Sequence, residues 1–368
     1  MIEFIRIQRF KTLLDASFPL SALNLFSGLN GLGKSSLLQT LLLLRQSYDK
    51  NTLEKKGLLL KGDYLALGTG QDILSEQAEL YSLEFTIKWD SLPAVNFLFD
   101  YAPNSDLQPI SVAIDLLSPE TLSLFNNNFQ YLSADRIGPK TSYEMSDFHI
   151  TTLNTLGSHG EYTVHFIAKN GQCVLPITGL RHKDASSDNL LENINAWMSE
   201  LSPGVQVHAI LQPHLNSASL GYKFIQGKDV TADFKPQNVG FGLTFVLPVV
   251  TALLRAKPGD LLIIENPEAH LHPAGQTIIG RMCALAAANG VQLFVESHSD
   301  HFLNGIRVAV RQNLVSAELI SLFFLERDSD GSTHATTVRN PSINHQGRID
   351  FWPAGFFDEW DRQLENLL

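Results

Sequence analysis

Apolar residues near the start of the chain form one short run and one helical stretch, with glycines between them. Residues 22–26 (Ala-Leu-Asn-Leu-Phe) predict a buried strand. Residues 35–45 are rich in leucine and other helix formers and predict a helix. The glycine-rich residues 28–35 overlap the start of that helix, so the pattern predicts a strand, a tight turn and a helix in succession.

The second half of the chain alternates strand-like and helix-like segments. Apolar runs at residues 261–265 and 291–296 predict buried strands, while residues 240–254, 274–289 and 300–312 predict helices. Alternation of this kind is typical of an α/β domain whose central sheet is largely parallel.

The first third of the chain has a different pattern. Residues 2–7, 13–20, 80–89 and 95–101 predict strands, and 111–117 is a further candidate. We expect an antiparallel β lobe here, joined to a mixed or parallel core sheet.

Composition shifts between residues 140 and 235, where glycine, histidine, serine and asparagine increase and the apolar runs shorten. The helical period at 187–201 predicts one amphipathic helix. We interpret the region as an inserted α+β subdomain, and without a sustained heptad pattern we expect no long coiled coil. The predicted segments are an N-terminal lobe (1–139), the insert (140–235), a C-terminal lobe (236–325) and a tail (326–368).

Overall composition limits the classes of function. Of the 368 residues 44% are hydrophobic and 18% charged, as in ordinary globular proteins. A formal charge of −11 argues against general affinity for a polyanion such as DNA. The two cysteines, Cys173 and Cys283, have no metal-ligand spacing and fit a reducing compartment. Lacking a signal-peptide pattern or a bilayer-spanning apolar run, the chain is expected in the cytoplasm, without a membrane partner.

Residues 28–35 (Gly-Leu-Asn-Gly-Leu-Gly-Lys-Ser) match the phosphate-binding P-loop, between the strand and the helix that this motif requires. Glycines let backbone N–H groups surround phosphate oxygens, and the helix N-terminus adds a positive dipole end. Lys34 is expected to reach the β- and γ-phosphates of ATP, and the Ser35 hydroxyl to ligate Mg²⁺. The predicted nucleotide-binding set of the loop is Asn30, Gly31, Gly33, Lys34, Ser35 and Ser36.

Three further residues follow the strands of the second half. Glu265 ends the apolar run 261–265, where a Walker B carboxylate would hold Mg²⁺ beside the P-loop. Glu268, three residues later, is a candidate general base that polarises the attacking water. His298, just after the next strand, could hydrogen-bond a γ-phosphate oxygen or that water. Together they predict an ATP-hydrolysing site.

These motifs carry a family resemblance. Residues 30–31, 265–273 (Glu-Asn-Pro-Glu-Ala-His-Leu-His-Pro) and 296–299 (Glu-Ser-His-Ser) together resemble ABC-type ATPase heads. The resemblance is greatest to the SMC/RecF/OLD-like branch of AAA ATPases, which is common in bacterial anti-phage defence. Residues 347–358 resemble an uncharacterised tail domain found on one such subgroup.

The resemblance implies a composite site at a dimer interface. In ABC-type heads, ATP lies between the P-loop and Walker B of one subunit and a signature motif of the other. Residues 238–244 (Asn-Val-Gly-Phe-Gly-Leu-Thr) occupy the signature position, although their flanking residues differ from LSGGQ. A simple helix cap is the alternative. The resemblance thus implies that Asn238, Gly240 and Gly242 contact nucleotide and that the chain pairs with itself.

Further positions follow from the same resemblance. Gln71 is the candidate Q-loop glutamine, an Mg²⁺ and nucleotide contact, with Asp72 as its competitor. Residues 269–272 match the D-loop, which contacts the partner subunit; a zinc site at His270 and His272 would need further ligands. Phe10, with the lysine after it, is a candidate contact for the nucleotide base.

Several functions fit these predictions. The first is an ATP-dependent dimerising switch for a separately encoded effector, in defence or genome maintenance. The second is an ATP-dependent DNA-binding or repair ATPase, or part of an OLD-type nuclease, for whose extra domain residues 299–368 are too few. The Asp-Ser-Asp-Gly run at 328–331 favours a hairpin turn over a metal motif. A transporter subunit is disfavoured by the variant signature and the tail.

Overall fold

A computed structural model gives the secondary structure and side-chain packing of most of the chain. The residues described are 1–29, 31–90, 92–116, 118–227, 229–327, 336–353, 355–357, 363–365 and 367. Asn30 and the run 328–331 therefore lie outside the described residues.

Strands and helices are numbered along the chain. The strands are β1 Ile2–Phe10, β2 Leu13–Pro19, β3 Leu23–Gly28, β4 Gly57–Leu59, β5 Ser82–Trp89, β6 Val95–Asp100, β7 Leu107–Pro109, β8 Phe129–Leu132, β9 Tyr143–Glu144, β10 Val205–Gln212, β11 Ser217–Gln226, β12 Asp229–Val230, β13 Leu261–Glu265, β14 Gln292–Glu296, β15 Ile320–Arg327 and β16 Thr336–Arg339. The helices are α1 Lys34–Asp49, α2 Thr163–Asn170, α3 Leu190–Leu201, α4 Phe241–Arg255, α5 Pro273–Ala288 and α6 Asp300–Arg311.

The chain divides into two compact units. Unit 1 contains Met1–Asn126, Ile320–Ser342 and Ile349–Leu368, and unit 2 contains Asn127–Leu319 and Ile343–Arg348. The predicted boundaries near residues 139, 235 and 325 remain predictions.

Unit 1 opens with an antiparallel sheet in the order β2-β1-β5-β6. Burial alternates along β5, where Leu83, Phe85 and Ile87 are buried and the residues between them are more exposed. This period of two is expected for a sheet with one face on the core and one toward solvent. The predicted antiparallel N-terminal lobe is confirmed.

The strand that precedes the glycine turn belongs to a second group in unit 1. β3 pairs in parallel with β15, and β16 pairs antiparallel to β15, so this sheet is mixed. Phe26 of β3 stacks on Phe323 of β15 with ring centroids 5.0 Å apart, and Phe18 meets Phe323 edge-on at 5.5 Å. All three rings are fully buried and form the core beneath the end of β3.

Unit 2 carries the parallel α/β part of the fold. β13 lies between β8 and β14 and pairs in parallel with both. Helices α5 and α6 approach very closely, since a Cβ on Gly280 would be 2.2 Å from Phe302 O and one on Gly305 would be 2.1 Å from Thr277 O. The predicted alternation of strands and helices is confirmed. The described helices of both units are at most 16 residues long.

The part of unit 2 that corresponds to the insert mixes strands and helices. β10 and β11 form an antiparallel pair that β9 and β12 extend. The predicted amphipathic helix is α3, whose Ile194, Trp197 and Met198 are buried.

One local prediction is wrong. Residues 111–116 form no strand and run irregularly, with Val112 66% exposed. The apolar residues Val112, Ile114 and Leu116 alternate as in a strand, but only Leu116 of the three is buried. Across the residues that the structure describes, no helix is long and apolar enough to cross a membrane.

The aromatic core beneath β3 gives a stability prediction. Replacing the fully buried Phe323 by alanine leaves a cavity and should lower the free energy of unfolding by about 3–5 kcal/mol. Chemical denaturation followed by tryptophan fluorescence measures the loss. Leu80→Ala, at a side chain that is 62% exposed, is the matched control and should change stability by about 0.5 kcal/mol or less. Equal effects of the two changes would contradict this account of the core.

Candidate functional site

The phosphate loop, residues 28–35, joins β3 to α1 in unit 1. Gly28, Gly31 and Gly33 have φ values of +141°, +80° and +83°. L-residues with side chains rarely adopt these angles, so the loop needs glycine at each of these positions. Its backbone is thereby turned within a few residues into the first turn of α1.

Neighbouring chain segments fix two of these glycines. A Cβ on Gly28 would lie 2.3 Å from Leu325 O, and one on Gly33 would lie 2.5 Å from the hydroxyl of Thr12. The Thr336 hydroxyl donates a hydrogen bond to Leu32 O at 3.1 Å. Strands β15 and β16 and the β1–β2 turn therefore hold the phosphate loop in place.

Lys34 places a positive charge on this loop. Its side chain is buried, and Nζ donates hydrogen bonds of 2.9 Å to Gly28 O and to Leu29 O. Ser35 and Ser36 lie in the first turn of α1, where Ser36 N donates to Gly33 O at 3.0 Å. An ammonium group, a helix N-terminus and glycine backbone at one place suit a phosphate anion.

Two other residues predicted in unit 1 have different surroundings. Gln71 lies exposed in a short 3₁₀ turn, and its amide donates to Asn104 Oδ1 at 2.8 Å. Its competitor Asp72 accepts hydrogen bonds from both the backbone and the hydroxyl of Thr69. Phe10 is fully buried against Phe85, so the predicted base contact is wrong for its ring.

The acidic turn, residues 265–268, follows β13 in unit 2. Glu265 Oε1 accepts a hydrogen bond from the Tyr131 hydroxyl at 3.0 Å, and its Oε2 accepts one from Ala134 N at 3.2 Å. Burial, and then the charge of Glu265, raises the pKa of Tyr131, which keeps this hydroxyl a donor. Asn266 has φ +44°, which turns the chain sharply after the strand.

Glu268 is buried, and its two carboxylate oxygens are unequal. Oε1 accepts a hydrogen bond from His298 N at 3.0 Å, whereas Oε2 has no hydrogen-bond partner among the described residues. Burial raises the pKa of this carboxyl group above its usual value, partly opposed by the hydrogen bonds that it accepts. A carboxylate that is made more basic and has one oxygen without a hydrogen-bond partner can accept a proton.

Arg136 is a component of the site that the sequence analysis missed. Only 3% exposed, it donates from Nη1 to Glu265 O and from Nη2 to Asn266 O, each at 2.6 Å. Its Nε donates to Phe245 O at 3.2 Å, and its guanidinium lies over the Phe245 ring at 4.5 Å. Burial lowers its pKa to about 10, which leaves it charged at neutral pH. Its one sequence signal was a lone arginine shortly after the apolar segment that forms β8.

His298 follows β14 with a half-exposed side chain, 4.0 Å from Nε2 to Glu296 Oε1. Its backbone N–H holds Glu268, as described above. The structure therefore brings together His298 and Glu268, two of the residues predicted for catalysis, through the backbone of one and the side chain of the other.

The signature-like segment, residues 238–244, leads into α4. Asn238 lies exposed in a 3₁₀ turn, and Gly240 precedes the first residue of the helix. Gly240 has open space around it, but a Cβ on Gly242 would lie 2.3 Å from His270 O. These residues also border a cavity of about 470 Å³, lined further by Phe224, Phe234, His270 and His272.

The two histidines after the acidic turn have local roles. His270 packs edge-on against Phe241 and Phe245, with centroids 4.7 and 4.8 Å away. His272 caps α5 by accepting a hydrogen bond from Ala274 N through Nδ1. Where the structure describes the chain, no group of three metal-ligating side chains occurs.

The predicted residues thus fall in both units. Unit 1 holds the phosphate loop and Gln71, while unit 2 holds the acidic turn, His298 and the signature-like segment.

A match to one protein family covers the phosphate loop of unit 1 and the acidic turn of unit 2. Residues 23–304, more than half of the chain, match the model described as "AAA domain, putative AbiEii toxin, Type IV TA system". The chain belongs to this family of P-loop ATPases, and the predicted resemblance is confirmed. Residues 315–367 match a second model, described as "Protein of unknown function (DUF3696)". No curated protein matches the chain.

Solved structures show the fold. The chain is similar to an Smc head bound to the C-winged helix domain of ScpA, with 14% identity, a TM-score of 0.51 and coverage of 93% of this chain and 98% of that one. It is equally similar to an Smc head domain with an extended coiled coil bound to the C-terminal domain of ScpA derived from Pyrococcus furiosus. The identity is again 14% and the TM-score 0.51, with coverage of 100% and 99%. The fold is that of an SMC-like ATPase head, and family membership implies nucleotide binding.

Burial of Glu268 gives a prediction about stability and pH. Because its pKa is raised in the folded state, stability falls as pH rises from the unfolded value near 4.5 through the folded pKa. Glu268→Gln removes this cost, so the nucleotide-free variant should have the higher Tm at neutral pH. The difference should shrink as pH decreases and disappear below about 4.5.

Thermal unfolding of both proteins across this pH range measures the difference. Glu318→Gln, at an exposed glutamate of the same unit, is the control and should leave Tm unchanged throughout. A Glu268→Gln protein less stable than the wild type at neutral pH would contradict the assignment of an unfavourably buried carboxylate.

Proposed function

We propose that this protein hydrolyses ATP to ADP and phosphate, slowly, as an ABC-type ATPase. The observation that carries the proposal is Glu268, a buried carboxylate with one unpartnered oxygen in a chain that also carries a complete phosphate loop. A single family model, residues 23–304, spans both features.

ATP binding is assigned to the phosphate loop. Backbone N–H groups between Gly31 and Ser36 and the ammonium of Lys34 would hold the β- and γ-phosphates, with Asn30 as a further contact. Lys34 can exchange its present carbonyl acceptors for phosphate oxygens, which bind an ammonium more strongly. Asn238, Gly240 and Gly242 would contact nucleotide from a second copy.

Mg²⁺ is assigned to oxygen ligands from Ser35, Glu265 and, by resemblance, Gln71. The Glu265 carboxylate accepts two hydrogen bonds, and two such oxygens have capacity for a hard cation as well. When bound, Mg²⁺ neutralises phosphate charge. The chain's part is to hold these oxygens in place.

Glu268 is assigned the general base. Its Oε2, buried and without a hydrogen-bond partner among the described residues, would accept a proton from the attacking water, while Oε1 stays bound to the His298 backbone, which fixes the carboxylate. Water that has lost this proton attacks the γ-phosphorus, the bond from that phosphorus to the bridging oxygen breaks, and ADP leaves. The half-exposed imidazole of His298 can donate a hydrogen bond to the phosphate oxygens.

The direct test is turnover by Glu268→Gln. Glutamine keeps the shape of the side chain but does not accept a proton, so kcat should fall by about 10²–10⁴-fold while ATP binding is kept. Phosphate release measures turnover, and a fluorescent ATP analogue measures affinity. Lys34→Ala should instead lose binding. Glu318→Gln serves as the exposed control and should match the wild type. Unchanged turnover in Glu268→Gln would remove it from catalysis.

We further propose that ATP joins two copies of the chain. ABC-type heads place a signature motif over the partner's nucleotide, and the signature-like segment offers the open Gly240 at the start of a 15-residue helix. The N-terminus of such a helix favours a phosphate anion. Hydrolysis would then release the pair, so nucleotide state sets association.

Dimerisation gives its own prediction. Glu268→Gln with ATP and Mg²⁺ should sediment at twice the monomer mass, because the nucleotide that bridges the copies is not consumed. Adding Gly240→Asp should abolish that species, because a carboxylate repels the phosphate and the open site accommodates the side chain. Analytical ultracentrifugation measures both. A Glu268→Gln protein that stays monomeric at saturating ATP would contradict the bridging role.

The dimer is proposed to act in the cytoplasm as a switch or scaffold for a separate effector in bacterial phage defence. The description of the matched family as a type IV toxin–antitoxin system supports this setting. The Smc heads of similar fold bind ScpA domains, a precedent for a head that receives another protein. DNA is a weaker candidate partner, given the net charge of −11.

A further inference from the structure

The signature-like helix and the acidic turn are joined inside unit 2 by one buried side chain, Arg136. Its three guanidinium nitrogens donate to four backbone carbonyls, those of Ser133, Phe245, Glu265 and Asn266, at 2.6–3.2 Å. Two of these carbonyls belong to the acidic turn and one to α4. Few side chains other than arginine could satisfy so many acceptors at once, because its five donors lie in a fixed plane.

The contact with α4 is reinforced by the ring of Phe245. The guanidinium lies 4.5 Å from its centroid, and the ring is only 6% exposed. A cation over an aromatic face is attracted most strongly where water is excluded. Arg136 is therefore attached to α4 by both a hydrogen bond and a ring contact, one turn after the signature-like segment begins the helix.

The contact with the acidic turn lies next to the proposed base. Arg136 holds the carbonyls of Glu265 and Asn266, and Glu268 follows two residues later at a turn with φ +44° at Asn266. A left-handed asparagine is a conformation that the surroundings must maintain. Arg136 therefore supplies hydrogen bonds to the backbone of the turn immediately before Glu268.

We propose that Arg136 is a positioning residue, which fixes the acidic turn against the signature-like helix and so sets the placement of Glu268 relative to the segment that meets the second copy's nucleotide. This rests on the proposed ATPase function. Arg136 binds no nucleotide in this assignment; its effect is on the chemical step.

Arg136→Lys is the test, since it keeps the charge but loses the planar set of donors. It should lower kcat at least tenfold and leave the affinity for ATP within about threefold, because misplacing a catalytic group affects the reaction more than binding. Hydrogen exchange of the amides of residues 266, 269 and 271, which bond to the turn and its neighbours, should become faster.

Arg255→Lys is the matched control. Arg255 is also buried, also lies over an aromatic ring, Phe166 at 5.1 Å, and ends the same helix α4. It should share the loss of stability but leave kcat and the exchange of the turn unchanged. If Arg136→Lys does not fold, Phe245→Leu tests the same contact, because it removes the ring beneath the guanidinium. This variant should lower kcat about threefold and keep the affinity for ATP.

The outcomes separate two failures. If the wild type turns over ATP and Arg136→Lys has the kcat of Arg255→Lys, this inference is overturned while the ATPase function stands. If the wild type shows no turnover, the proposed function fails, and exchange at the acidic turn still reports whether Arg136 holds it. Unchanged exchange in Arg136→Lys overturns the positioning role in either case.

Discussion

Backbone geometry at the end of β3 is the constraint on which the phosphate site of unit 1 depends. Gly28 passes so close to Leu325 O that no side chain fits there, and Gly33 turns the chain directly against Thr12. These contacts restrict the path of the loop into α1. On that path the Lys34 ammonium hydrogen-bonds the carbonyls of Gly28 and Leu29, earlier in the same loop. Strand β15 follows more than 290 residues later in sequence and still determines the path of the loop.

In unit 2 the corresponding constraint is electrostatic. Two charged groups, Glu268 and Arg136, are removed from water, and Arg136 binds the carbonyl of Asn266, two residues before Glu268. Hydrogen bonds to four carbonyls replace the water that the Arg136 guanidinium loses on burial. Only one oxygen of the Glu268 carboxylate has such a replacement, so burial keeps this group basic. Catalytic sites commonly hold such incompletely satisfied groups, at some expense in stability.

Much of the fold and of the candidate site was predictable from sequence. The features that were not predictable depend on contacts between residues far apart in the chain. The P-loop, the buried strands 261–265 and 291–296 and the helix between them follow local patterns that act over a few residues. Arg136 could not be found this way, because its four acceptors come from three separate segments. The burial of Phe10 was missed for the same reason: its partner Phe85 is far along the chain. The irregular segment 111–116 shows that a short alternation of apolar residues does not by itself specify a strand.

The close approach of Gly242 to His270 O bears on how this sequence can diverge. Gly240, two residues earlier, faces open space, so a side chain there would leave the backbone unchanged. A methyl group at 242 would displace the loop that carries His270, and with it the aromatic contacts to α4. Homologues should therefore retain a residue without a side chain at position 242, whatever partner their heads have come to serve.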